Sequence, residues 1–163
     1  VSRAFPQVRD SKKLSPKQRE VWFGEIRRLQ RDGALSYTSV FISARSIDAR
    51  GMAYALKIGI ARVLSKISVT PNVRVLLDGG IHAPKEFLDQ ITIIKGDETE
   101  LPIALASIVA KVRRDAHMVR ASRRYPAYEF ETHKGYGTLR HRRIIRRVGL
   151  SPIHRTTFCT NVV

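Results

Sequence analysis

The sequence predicts an α/β layer fold, and three observations carry that prediction. Short apolar runs that stop at turn residues alternate with longer stretches of helical periodicity. The 163 residues are 43% hydrophobic, enough for one domain with a core of its own. No segment is long and apolar enough to cross a bilayer as a helix.

Taken in order, residues 1–14 read as a loop. Ser15-Pro16 then opens a helix, with serine as cap and proline at the first helical position. Val21, Trp22, Ile26 and Leu29 make its apolar stripe, and Gly33 its stop. Residues 35–44 (LSYTSVFISA) are β-branched and aromatic, the composition of a strand. Ser46 or Asp48 is the expected cap of the next helix, whose stripe is Met52, Leu56, Ile60, Val63 and Ile67.

Val73 to Leu77 ends at Asp78-Gly79-Gly80, and Gln90 to Ile94 ends at Lys95-Gly96-Asp97. Both read as buried strands stopping at tight loops. Pro102 opens a long helix that the Tyr125-Pro126 pair breaks. Thr138 caps a last, very basic helix that ends at Gly149, followed by a strand-like tail holding Cys159, a partly buried small hydrophobe.

The charge is the strongest compositional signal. Thirty Lys and Arg face 14 acids, a net +16, and arginine dominates the cations. That excess favours a polyanion, and planar guanidinium forks suit phosphate. The excess is also concentrated: residues 111–147 hold 12 Lys or Arg against three acids. A lone cysteine makes no internal disulfide and no thiolate metal cluster, and the first residues lack a signal-peptide pattern. A cytoplasmic, nucleic-acid-directed domain is the expectation.

Three places could carry chemistry. Asp78 stands at the carboxyl end of a strand, where open α/β sheets gather ligands; by itself it reads more readily as a turn residue. Asp115 shares a helix face with Ala104, Ser107 and Lys111. Ala104 to Ala110 is small enough to pack on a sheet, which would aim Asp115 at the strand ends. The plainer reading is a surface pair with Lys111. In His133-Lys134-Gly135-Tyr136-Gly137-Thr138, the glycines allow close backbone approach, and Tyr136 offers a flat face for a base or sugar.

Read together, these segments resemble the ribonuclease HII (type 2 ribonuclease H) family. The matching pieces are Asp10-Ser11-Lys12-Lys13-Leu14-Ser15, Ile47-Asp48, Leu77-Asp78-Gly79 and Lys95-Gly96-Asp97. They continue through residues 106–112 with Arg114-Asp115, then Tyr125-Pro126, 133–138 and Pro152-Ile153-His154-Arg155. The resemblance implies a ribonuclease H-like mixed sheet flanked by helices, with residues 125–163 forming a basic, substrate-binding C-terminal extension of a single domain 1–163.

It implies cleavage of the RNA strand of RNA–DNA hybrids and incision at ribonucleotides embedded in DNA, as in replication and repair. It further implies Mg²⁺ or Mn²⁺ on four carboxylates, of which Asp78 and Asp115 match the third and fourth. Tyr136 matches the residue that packs on the sugar at the RNA–DNA junction, with Lys12, Lys13 and Lys134 near the substrate backbone. A monomer is the expected state of the complete enzyme.

One departure matters. The Asp-Glu pair and Gly-Arg-Gly carried by the family's first, central strand have no counterpart here; Asp97-Glu98 lies in a different segment. The expectation is therefore a sequence incomplete at its N-terminus. Without that strand, unpaired edges and low stability are expected, and the alternative function is a hybrid-binding fragment or degenerate relative without catalysis.

Overall fold

A computed structural model describes residues 14–67 and 69–162. The chain divides into two compact units that interleave in sequence: Val1–Val40 with Leu56–Val112, and Phe41–Ala55 with Arg113–Val163.

In the first unit, helix α1 (Pro16–Arg31) starts on a full capping box. The Ser15 hydroxyl accepts from Gln18 N at 3.2 Å and the Gln18 amide oxygen accepts from Ser15 N at 2.8 Å. Asp32 closes the helix and Gly33 follows with φ +72°, a left-handed stop that glycine adopts without Cβ strain. The predicted stripe is corrected at one place: Ile26 and Leu29 are buried, but Val21 is 65% exposed.

Ile26 and Leu29 pack on Ala104, Ile108, Val109 and Val112 of helix α4 (Leu101–Arg124), with Trp22, Leu35 and Tyr37 around them. The small-residue face of α4 therefore meets a helix and not the predicted sheet, while Ala106 and Ala110 stay exposed.

Helix α2 (Ala44–Ile67) runs through both units and is interrupted at Gly51 (φ 80°, ψ 168°). Its cap is also corrected. Ser43 precedes the first turn and accepts from Ser46 N at 3.1 Å, whereas Asp48 is engaged elsewhere. Of the predicted stripe, Met52 and Leu56 are exposed; Ile60 joins Leu64 in packing under the sheet.

That sheet is two parallel strands, β1 (Val75–Asp78) and β2 (Gln90–Ile93), in register from Val75↔Gln90 to Asp78↔Ile93. Parallel neighbours need a crossover, usually helical. Here residues 79–89 cross without regular structure, held by the Gln90 side chain. Its amide oxygen accepts from Ala83 N (2.9 Å) and its nitrogen donates to the Phe87 carbonyl (2.8 Å). Ala83 and Phe87 thereby bury against Val75 and Leu77.

The strand predicted over 35–44 is absent: residues 35–43 carry no ladder. A strand exists through its pairing, and among the described residues no segment pairs with this one. Leu35 and Tyr37 instead serve the α1–α4 core, Tyr37 edge-on to Phe23 at 5.7 Å.

In the second unit, α4 ends at Arg124, and Pro126 opens a single 3₁₀ turn (Pro126–Tyr128) leading to helix α5 (Phe130–His133). Helix α6 (Leu139–Val148) is capped by the Thr138 hydroxyl and closed at Gly149, as its sequence predicts. Its buried side, His141, Ile144 and Ile145, leaves Arg140, Arg142, Arg143, Arg146 and Arg147 outward. Tyr128, Phe130 and Ile144 centre the core, with Met118, Tyr125 and Ile153 against them. The tail forms a 3₁₀ turn at Thr156–Phe158 rather than a strand, and Cys159 is half-buried beside it as expected.

Candidate functional site

Asp78 closes β1 with its side chain exposed. Its Oδ1 accepts from Gly96 N at 2.9 Å, so the Lys95-Gly96-Asp97 turn fastens the carboxylate from the neighbouring strand end. Lys95 adopts a left-handed φ of 55° and Gly96 begins the short helix α3 (Gly96–Thr99). A Cβ at Gly96 would lie 2.5 Å from Ile103 Cδ1 and 3.4 Å from Ile93 Cβ, so any larger residue here would force the end of the Ile103 side chain to move. Asp97 is buried.

Asp115, Lys134 and Tyr136 belong to the second unit. Asp115 lies half-buried on α4, with Arg114 Nη1 3.6 Å from its Oδ1. The predicted face is real in its burial: Ala104 is buried, and Ser107, Lys111 and Asp115 are each half-buried. Tyr136 projects from the glycine loop, 51% exposed, with the Arg114 guanidinium 4.2 Å above its ring centroid. The structure thus gathers Asp115, Arg114 and Tyr136. Lys134 takes a left-handed turn (φ 51°) and donates its ammonium to the Glu131 carbonyl. Lys12 and Lys13 lie outside the described residues.

The loop's backbone is fixed by a relay of histidines that composition did not disclose. Tyr136 N donates to the His133 carbonyl (2.9 Å), and the Tyr136 carbonyl accepts from Thr138 N (2.7 Å) and from His141 Nδ1 (3.0 Å). His133 Nδ1 accepts from Gly135 N (3.1 Å), leaving its Nε2–H for the Tyr128 carbonyl (2.8 Å). His154 Nδ1 accepts from Ser151 N (2.9 Å), so its Nε2–H donates to His141 Nε2 at 2.9 Å. Backbone N–H groups only donate and carbonyls only accept, which assigns every tautomer as neutral. Burial holds His141 down to about 4 and lowers His154 as well.

The surroundings are cationic. A cavity of about 780 Å³ in this unit has Gly135 and Gly137 in its wall, together with Arg45, Arg114, Arg142 and Arg155 and no carboxylate. Nearby, Asp48 takes four hydrogen bonds, from the amides and hydroxyls of Thr156 and Thr157, at 2.6–3.2 Å. They hold its carboxyl at about 2, the Thr157 hydroxyl contributing most.

An oxygen-donor set of carboxylates suits a hard divalent ion. Among the described residues, however, no three His, Cys, Asp or Glu side chains gather as a metal-binding group. The described residues therefore do not supply a complete set of ligands for such an ion.

The family model described as ribonuclease HII matches residues 6–161. The chain belongs to the ribonuclease HII family. Ribonuclease HII of Caldicellulosiruptor bescii is 38% identical over 161 residues, covering 99% of this chain and 75% of that protein. The Endomicrobium trichonymphae ribonuclease HII is 39% identical over 155 residues (95% and 71%), and that of Ruminiclostridium cellulolyticum 42% over 156 (96% and 59%). By family this is a type 2 ribonuclease H. Among the described residues no helix is long and apolar enough to cross a membrane.

Two residues that sequence reading did not single out, Arg114 and His141, contact Tyr136. For His141 a signal existed: it falls three and four residues before Ile144 and Ile145, on the apolar side of α6. Arg114 offered none beyond its place in the matched segment.

Proposed function

We propose that this chain acts on RNA–DNA hybrid duplexes and on DNA carrying embedded ribonucleotides, hydrolysing the phosphodiester on the ribonucleotide strand. Asp78 and Asp115 would then be two of the carboxylates that hold Mg²⁺ or Mn²⁺, which would supply activation of water and charge stabilisation at phosphorus. Tyr136 faces the sugar, and Lys12, Lys13, Lys134 and the basic extension 125–163 track the backbone. The complete enzyme is read as a cytoplasmic monomer. The single observation carrying this reading is the half-exposed Tyr136 ring on a pinned glycine loop, joined through Arg114 to Asp115. A flat ring beside cations is what stacking on a nucleotide requires.

The test is Mg²⁺- or Mn²⁺-dependent cleavage of a duplex with one ribonucleotide. It is run on this chain and on the chain extended before Val1 by an Asp-Glu and Gly-Arg-Gly strand. Cleavage by the extended protein, lost by 10²-fold or more in D78N and in D115N, supports the assignment. Cleavage untouched by either substitution overturns it.

The concentration of 12 Lys or Arg against three acids over residues 111–147 also fits a second reading, a binding module without catalysis. That reading requires salt-sensitive duplex binding, with no cleavage even after extension.

A further inference from the structure

We propose that Arg114 is the positioning residue that sets the Tyr136 ring for the nucleic-acid strand. This rests on the reading of Tyr136 given above. The inference starts from what is and is not fixed in the loop. The Tyr136 backbone is pinned by His133, Thr138 and His141, none of which uses the ring. Gly135, at φ +74°, sits so close to Met118 that an added Cβ would lie 3.1 Å from its Cε. The main chain therefore has little freedom, while the ring, 51% exposed, has one ring or cation partner among the described residues. That partner is Arg114.

The guanidinium's own placement points the same way. Its Nη1 is buried without a hydrogen bond and stands 3.6 Å from Asp115 Oδ1, beyond hydrogen-bonding range. A flexible arginine governed by the carboxylate would close that gap and form the forked pair that guanidinium favours. It lies over the aromatic face instead, at 4.2 Å, well inside cation–π range. Arg114 thus serves the ring first and the carboxylate at longer range. It leaves the opposite face of Tyr136 for a sugar or base, with a positive charge behind the ring.

A lysine would keep the charge and lose the planar stack. Loss of Arg114 should therefore act through Tyr136, unlike loss of a cation that meets phosphate directly. Arg143, exposed on α6, supplies the contrast.

The experiment is a double-mutant cycle read in hybrid-duplex affinity without added metal, combined with ligand-free NMR of tyrosine-labelled protein, the Tyr136 ring signals being assigned from Y136F. The expected result is that R114Q and Y136A each weaken binding by roughly three- to tenfold. The double variant should be no weaker than the worse single, and R114K should recover only part of the loss. R143Q with Y136A should be multiplicative. In R114Q the Tyr136 ring signals should shift while the other four tyrosines stay in place.

Multiplicative losses for R114Q with Y136A, or unmoved Tyr136 signals in R114Q, overturn the proposal. Failure of the unmodified chain to bind duplex at all sinks the functional reading instead. The ring signals then still decide whether Arg114 positions Tyr136.

Discussion

His141 and His154 face each other across 2.9 Å, a gap that accommodates one proton and not two. Both residues have pKa values lowered by burial, His141 to about 4 from an ordinary 6.5. Between those values the unfolded chain binds protons that the folded chain refuses. Unfolding free energy therefore holds above pH 6.5 and falls as pH drops toward 4. Urea melts at pH 7 and pH 5 should show that loss, and H154Q should reduce the pH dependence. An unchanged pH profile in the variant would contradict the neutral relay. At Gly96 the geometry predicts a packing penalty. Gly96→Ala places a methyl 2.5 Å from Ile103 Cδ1 and should cost about 1–3 kcal/mol of unfolding free energy in the same melts.

At the scale of elements, α1 is held by its capping box and by two buried side chains. Ile26→Ala should cost about 2–5 kcal/mol, because Ile26 is enclosed by Ala104, Ile108 and Val109 on α4. The Asp48 clasp yields a different readout. Asp48→Ala removes the acceptor for four donors and should free the tail, measured as faster tryptic cleavage after Arg155. In the unsubstituted chain the clasp's contribution is full above an ordinary carboxyl pKa near 3.8 and disappears as pH falls through about 2.

These elements also show what the sequence could disclose. Caps and breakers act within a few residues, so Ser15, Gly33, Thr138, Gly149 and the Tyr125-Pro126 break were legible. So were the positions of β1 and β2, each a short apolar run stopped by a turn, although β2 is not the buried strand expected: Ile91 is 42% exposed. Residues 35–43 misled because β-branched composition describes a surface suited to pairing and cannot supply the partner. Asp48 looked like a cap because its true donors lie more than a hundred residues away. At the site, Asp78 at a strand end and Tyr136 between glycines were visible for the same local reason. The contact of Arg114 with the Tyr136 ring was not, since it joins two elements, and for His141 only its place on the apolar side of α6 was visible.

For the whole molecule, charge is the governing quantity. The chain carries +16, and α6 turns five arginines outward while burying His141, Ile144 and Ile145. Each phosphate neutralised releases counterions, so log affinity for a hybrid duplex should fall linearly with log salt, at about −0.9 per contact for duplex DNA. R143Q should lower that slope by roughly one contact. A slope near zero in the unsubstituted chain would mean that the basic face does not meet phosphate.

The order in which the second unit's parts are synthesised follows from the same clasp. Its first piece, Phe41–Ala55, leaves the ribosome long before its second, Arg113–Val163. Thr156 and Thr157 follow Asp48 by 108 and 109 residues, so Asp48 has no access to them until that length of chain has been made. The first unit's own pieces are complete once Val112 has been made, so it can fold while residues 41–55 still wait for Arg113–Val163. A nascent chain stalled at residue 150 should accordingly present a protected α1–α4 core and a protease-sensitive segment around Arg50. Emergence of Thr156 and Thr157 would then be the event that closes the clasp on Asp48.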